Sequence, residues 1–414
     1  METMPSPTGG GADEQPRYFD HAATSPARPT AVRVLTEAMA LSNPSALHAA
    51  GRRARAAVDA SRAQLAAAVG AHPSEVIFTS GGTEADNQAV KGLYWTRRGQ
   101  DDRRRTILLP GIEHSAVFET AEWLETHQGA EVRLLPVDGE GRLDLDAAEA
   151  LMVDLLSEDP ESVALATLMW ANSEVGALQP VAEFVRLCAR WSVPVHTDAV
   201  QGMTSTAVDF AACGAATMAI TAHKLGGPVG VGALLVRRDV ALTPVLHGGG
   251  QERDIRSGTL DVAGICAFAA VAEEVVAARE DEARRLGALR DRLLEAAVGI
   301  PGVTLRGPDP RTAPERRLPQ NLHITVDGAE GDSLLFMLDM AGFATATGSA
   351  CSAGVPRPSR VLLAMGLTEE QARGAQRFTV GHTTTEDDVD ALIAALPDVV
   401  ARARTAGMAA SRSR

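Results

Sequence analysis

The run Met218-Ala219-Ile220-Thr221-Ala222-His223-Lys224-Leu225-Gly226-Gly227-Pro228 decides the fold class. An apolar stretch gives way to a polar loop at Thr221, and two glycines and a proline then turn the chain, so a buried strand ends by placing an amine at the sheet edge. The same arrangement recurs upstream. Glu75-Val76-Ile77-Phe78, Thr106-Ile107-Leu108-Leu109, Val163-Ala164-Leu165-Ala166 and Val193-Pro194-Val195-His196 are short apolar runs separated by helical segments between about Ala54 and Val240. Such alternation predicts a largely parallel sheet covered by helices. In those folds a ligand sits beyond the carboxyl ends of the strands, and the unusual residues fall there: Ser80-Gly81-Gly82-Thr83-Glu84, Glu113-His114, Asn172-Ser173-Glu174, Asp198 with Gln201, and His223-Lys224, after successive runs.

Of the 39 lysines and arginines only Lys91 and Lys224 are lysines. An amine that can lose its proton and form a Schiff base does chemistry that arginine cannot, and Lys224, in the loop after an apolar strand, has the context for it. Lys91 reads as a cation near the end of a helix, meeting exposed carbonyls.

With 414 residues, 45% hydrophobic and 22% charged, the chain has the composition of a soluble globular protein of two domains. No apolar run is long enough to cross a bilayer, and a net charge of −14 argues against broad, backbone-driven nucleic-acid binding. Residues 1–16 read as a disordered leader without the marks of a secretion signal, which places the protein in the cytoplasm. After His247-Gly248-Gly249-Gly250, residues 262–297 read as a long linking helix with charged outer faces. Short strands (Asn321 to Val326, Arg377 to Val380) mixed with helices predict a smaller α+β domain over 298–404, and 405–414 a frayed tail. Cys188, Cys213, Cys266 and Cys351 show no paired spacing, which disfavours disulfides and a zinc site, and no metal is expected. The first three lie in apolar contexts, as small buried hydrophobes do. Cys351 lies instead among Gly348, Ser349, Ala350, Ser352, Ala353 and Gly354, as a mobile loop requires. It is either an inert surface thiol or one whose reactivity is used.

Ser80-Gly81-Gly82-Thr83 before a helical run is either simple turn chemistry or a phosphate cradle built from free backbone N–H groups and the helix dipole. Asp198 either caps the following helix or holds a heterocyclic nitrogen protonated. A Schiff-base lysine, a carboxylate for a pyridinium nitrogen and a phosphate cradle are together the parts that pyridoxal phosphate demands.

The succession Phe78-Thr79-Ser80-Gly81-Gly82-Thr83-Glu84, Glu113-His114, Asn172-Ser173-Glu174-Val175-Gly176, His196-Thr197-Asp198-Ala199-Val200-Gln201, His223-Lys224 and Arg256-Ser257-Gly258-Thr259 resembles the class V aminotransferase family. Gly348-Ser349-Ala350-Cys351-Ser352-Ala353-Gly354 resembles the cysteine desulfurases of the NifS/IscS type, and the likeness runs from Tyr18 to about Leu392.

The resemblance implies an aspartate-aminotransferase-like α/β fold: a large domain (29–261) with a mainly parallel seven-stranded sheet, a small α+β domain, and an N-terminal segment (17–28) packed on the latter. It implies pyridoxal 5'-phosphate bound through Lys224, with Asp198 on its pyridinium nitrogen and His114 stacked on the ring and shuttling protons. Asn172 and Gln201 would contact its phenolic oxygen, and Gly82, Thr83, Thr221 and His223 its phosphate. Thr259 would reach the phosphate of the neighbouring subunit, implying a homodimer with composite active sites. Arg377, with Asn172, would grip the substrate carboxylate, and Asn43 would lie nearby. The spacing from Cys351 to Arg377 matches the longer loop of the IscS-like group. L-cysteine would become L-alanine, its sulfur passing to Cys351 as a persulfide and on to an iron–sulfur scaffold, a tRNA-thiolation or a DNA-phosphorothioation protein. The alternatives are a selenocysteine lyase, an aminotransferase or an epimerase. His382, Trp170 and His21 depart from the family's usual residues.

Overall fold

The computed structural model describes residues 16–348 and 358–411. A two-residue strand, β1 (Arg17–Tyr18), precedes helices α1 (Pro29–Ala38) and α2 (Ala49–Ala68). Strands and helices then alternate: β2 (Val76–Thr79), α3 (Gly82–Gln100), β3 (Thr106–Pro110), α4 (Ser115–Gln128), β4 (Glu131–Leu135), α5 (Leu145–Glu158), β5 (Val163–Thr167), α6 (Val181–Ala189), β6 (Val195–Asp198), α7 (Phe210–Cys213), β7 (Thr217–Thr221) and β8 (Gly232–Val236). These strands form one sheet of seven in the order β2-β8-β7-β6-β5-β3-β4. Only β8 runs against the others, pairing antiparallel with both β2 and β7.

The sheet is buried on both faces, which is why most of its strands are continuous apolar runs and do not alternate. Side chains still point to opposite sides in turn. Leu108 joins the core beneath α2 and α8 (Val262–Val298), with Val58, Leu65, Phe78 and Phe268. Ile107 and Leu109 face the other way, against Leu93 and Tyr94 of α3 and Val117 and Leu124 of α4.

Helix α8 serves both halves of the molecule. Asp261 caps its start by accepting from Gly264 N–H. Its first turns, with Ile265 and Phe268, pack on the large sheet, and Leu286, Leu293 and Leu294 belong to a second core. That second core lies under the antiparallel sheet of β9 (Val303–Leu305), β10 (Asn321–Val326) and β12 (Ala375–Thr379), and is closed by α9 (Gly331–Met340) and α12 (Glu386–Ser411). A short strand, β11 (Phe343–Ala344), pairs with β1, and α10 (Arg360–Ala364) and α11 (Glu369–Arg373) complete the chain. No described helix is long and apolar enough to cross a membrane.

All five expected strands form, displaced by a residue or two. Pro194 has no N–H, and the ladder of β6 with β5 begins only at Val195. Lys91 sits in the middle of α3 and not at its end, with its ammonium 4.6 Å above the Trp123 ring. Cys188 and Cys213 are buried and their thiols pushed up by burial, whereas Cys266 is only half-buried. Helix continues to Ser411, past position 405 where the sequence reads as frayed.

Candidate active site

A cavity of about 460 Å3 opens at the carboxyl ends of the parallel strands, within the range of small-molecule sites. Lys224, in the short turn after β7, enters it from one side. Its amine donates to the carbonyls of Ala22 (2.5 Å) and Ala23 (2.7 Å). Burial, reinforced by Arg377, pushes the amine down to about 8, which leaves a usable fraction unprotonated near neutral pH. Asp198, the last residue of β6, faces the same space. One of its oxygens accepts from Val200 N–H (2.9 Å), and burial raises its affinity for a proton against the pull of His114 and Lys224. His114 caps α4: Nδ1 accepts from Ala116 N–H (3.1 Å), which puts the ring proton on Nε2.

Another part of the cavity wall is a helix start. Helix α3 begins at Gly82 with Gly81 in front of it and no side chain capping its first N–H groups, so they and the positive end of the helix dipole are free to face the cavity. A Cβ on Gly82 would come within 2.8 Å of Val200 Cγ2. Thr83, Thr221 and His223 share this space. Burial, with Lys224 nearby, pushes His223 down to about 4 and keeps its ring neutral, while Nδ1 meets Thr24 Oγ1 (3.2 Å).

Arg377 arrives from β12 of the small sheet. Nη2 donates to Asp20 Oδ1 (2.7 Å) and Nη1 to Ser173 O (3.0 Å). Its buried Nε–H has no partner among the described residues. A buried guanidinium with one donor unused, on the wall of a cavity, has the chemistry to accept a carboxylate.

The similarity of this chain to known proteins agrees with that geometry. The family model "Aminotransferase class-V" matches residues 17–392. The chain belongs to the class V aminotransferase family. It is 48% identical over 396 residues to the IscS-like cysteine desulfurase of Mycobacterium tuberculosis, covering 95% of this chain and 98% of that one. It is 36% identical over 389 residues to the cysteine desulfurase IscS of Methanosarcina thermophila, covering 94% and 92%. A solved NifS-like protein superposes with a TM-score of 0.83 at 31% identity, over 94% of this chain and all of that one.

Against the class V pattern, the cavity collects Lys224, Asp198, His114, Gly82, Thr83, Thr221, His223, Gln201 and Arg377. Gln201 meets Ala22 O through its amide (2.9 Å). Three expected residues stand apart from the cavity. Asn172 is buried behind it: Oδ1 accepts from Glu174 and Val175 N–H, and Nδ2 donates to Ile112 O, so its amide braces two loops. Asn43 is exposed and holds its own turn through Ser45 N–H. Thr259 is exposed as well. Cys351 lies outside the described residues. Asp86, Glu113, Asp20, Glu174 and Arg360 also line the cavity, although none was expected as a site residue. Glu113 and Glu174 fall inside the motifs, a signal that was there to use. Asp86 reads in sequence as an ordinary helix-surface charge. Of the departures, His21 and His382 lie edge to face, 5.9 Å apart, behind Lys224. Trp170 donates to Thr206.

Proposed function

We propose that this protein is a pyridoxal-phosphate-dependent cysteine desulfurase, converting L-cysteine to L-alanine and passing the sulfur through Cys351 to an acceptor protein. The observation that carries the reading is Lys224 and Asp198 at the ends of neighbouring strands, lining one cavity whose wall also includes an uncapped helix start. The cradle at Gly82, which a Cβ would fill, and the unused Nε–H of Arg377 fit a phosphorylated ring and an amino-acid carboxylate.

Gly82, Thr83, Thr221 and His223 would hold the cofactor's phosphate, Asp198 its ring nitrogen, Gln201 its phenolic oxygen and Lys224 its aldehyde carbon, with His114 against the ring. Bound there, the cofactor supplies an electron sink that acidifies the substrate's Cα–H and weakens its Cβ–S bond. Arg377 fixes the substrate carboxylate. Lys224 Nζ, its proton affinity depressed by burial, would take the α-proton. The Cys351 thiolate would attack the substrate sulfur: an S–S bond forms as the Cβ–S bond breaks, Cβ takes the proton given up by the thiol, and the α-proton held on Lys224 returns to Cα to give alanine. His114 Nε2 is the proton carrier among thiol, carbon and cofactor. Asn172, in this reading, supports the site through the loops it braces.

We assign the working unit as a two-fold dimer in which Thr259 completes the partner's phosphate site, consistent with its exposure. Leu47 (90% exposed) and Val229 (80% exposed) are apolar surface that such an interface would cover.

Cysteine turnover with alanine and sulfide both quantified tests the reading. Cys351→Ser is expected to lose sulfide release by about 100-fold or more while retaining the cofactor. Retained turnover in that variant, or a keto acid as product, would overturn it.

A further inference from the structure

Three carboxyl groups meet on the wall of the cavity. Asp86, in the second turn of α3, is 1% exposed, Glu113 2% and Asp198 6%. One ligand-capable atom from each of Asp86, Asp198 and His114 lies within 4.8 Å of the other two. Asp86 and Asp198 thus lie close together, Glu113 is near enough for its charge to be felt by Asp86 and to feel that of Asp198, and the nearby cations are committed elsewhere. Lys224 donates to the carbonyls of Ala22 and Ala23, and Arg377 to Asp20 and Ser173. Arg360 donates to the backbone carbonyls of Gly111 and Glu113 and lies 3.6 Å from the Phe118 ring centre. Among the described residues no lysine or arginine forms an ion pair with any of the three acids.

The hydrogen bonds sort them. Asp86 Oδ1 lies 3.1 Å from His196 Nε2, and His196 Nδ1 lies 2.9 Å from Thr217 Oγ1, a column in which the histidine is fully buried. Burial pushes that imidazole down to about 3, so it brings Asp86 no countercharge. A protonated Asp86 donating to Nε2, with Nδ1–H donating to Thr217, satisfies the column end to end. Glu113 Oε1 already accepts from Thr167 O–H (2.9 Å) and Met169 N–H (3.0 Å), and Oε2 has no partner among the described residues. A bare carboxylate oxygen there would be a buried charge without a donor. Burial raises Asp198 as well, but there His114, the Val200 N–H it accepts from and Lys224 all pull the other way.

We infer that Asp86 and Glu113 are held as neutral carboxylic acids, Asp86 donating to His196, and that Asp86 is thereby a positioning residue that leaves Asp198 as the one charged carboxylate of the three. The inference rests on the reading of Asp198 as partner of a ring nitrogen, and names the ligand chemistry this wall accepts. One charge beside neutral acids matches a singly protonated heteroaromatic N–H and not a divalent cation.

Infrared spectra of the purified protein give a direct readout. Carbonyl bands of protonated carboxylic acids, sensitive to D2O, are expected in the wild type at neutral pH. One band is lost in Asp86→Asn and one in Glu113→Gln, with both kept in Asp198→Asn. Cofactor titration of depleted protein supplies the second arm: pyridoxal phosphate binds Asp86→Asn within about threefold of wild type and Asp86→Ala at least ~tenfold more weakly, because asparagine can still donate to His196 and alanine orphans it. Absence of the bands, equal loss in the asparagine and alanine variants, or stoichiometric zinc uptake from zinc chloride that Asp86→Asn abolishes would overturn the inference. Wild-type protein that shows the bands yet binds no pyridoxal phosphate would instead overturn the functional reading and leave the neutral acids standing.

Discussion

Glu113 makes the stability of the fold depend on pH in a direction opposite to that of most carboxylates. Burial, and then the charge of Asp198, push it up to about 8 from the 4.5 of a free glutamate, so the folded protein keeps a proton that the unfolded chain sheds. The stability tied to this group is fully present below about 4.5 and is lost as the pH rises through about 8. Glutamine in its place keeps an acceptor for Thr167 and Met169 and cannot ionise. In urea unfolding of the cofactor-depleted protein, Glu113→Gln is expected to gain on the wild type as pH rises from about 5 to about 9, by on the order of 3 kcal/mol at the top. A gap that stays constant across that range would mean Glu113 does not titrate there.

Among the elements, the start of α3 has little tolerance for a side chain. Gly82 has Val200 Cγ2 where a Cβ would go, and Val200 N–H is the group that holds Asp198. Gly82→Ala therefore disturbs the proposed phosphate cradle and the ring-nitrogen partner together. Overpacking of this kind costs about 1–3 kcal/mol, and the expected result is roughly tenfold or greater weakening of pyridoxal phosphate binding, read by fluorescence titration, with little change in far-ultraviolet dichroism. Binding equal to wild type would show that the helix start is not the phosphate site. Legibility also divides by element. β3, β5 and β7 are apolar runs that announce themselves because both sheet faces are covered. β4, at the sheet edge, has Arg133 and Leu134 exposed, so its pattern is broken, and β8 follows the glycine-rich turn after Lys224 and blends into it. Asp86 was hidden for a different reason. Its helix position looks like any solvated charge, and only the packing of α3 against β6, far along the chain, buries it on His196. Lys91 was misplaced for the same cause, since its partner Trp123 belongs to the next helix.

At the level of the whole molecule, the proposed sharing of Thr259 between subunits has a sharp consequence. A Lys224→Ala protomer and a Thr259→Asp protomer are each expected to be inactive alone. Random remixing pairs an intact lysine with an intact threonine in about a quarter of all sites, so activity should return to about that fraction of wild type. No recovery on mixing, with dimers present by sedimentation, would place Thr259 outside the partner's site. The two-core architecture was readable from the change in strand texture after Pro301 and from the long helix before it. What the sequence did not disclose is how the two cores are joined at the site itself, because one half of that join is made by backbone carbonyls, which every residue has, and the other by a single Asp20 carboxylate far from its partner in sequence.

The join is the short segment after β1. Asp20 holds Arg377, a residue of the small sheet, and the carbonyls of Ala22 and Ala23 hold Lys224, a residue of the large one. The four residues from Asp20 to Ala23 thus act as a common clamp on two groups that lie more than a hundred positions apart in sequence. For anyone engineering this protein, replacing Asp20 or re-routing the backbone at Ala22 and Ala23 would unseat both at once with Phe19 still seated in the second core, whereas a truncation that reaches Asp20 would strip Phe19 from that core as well.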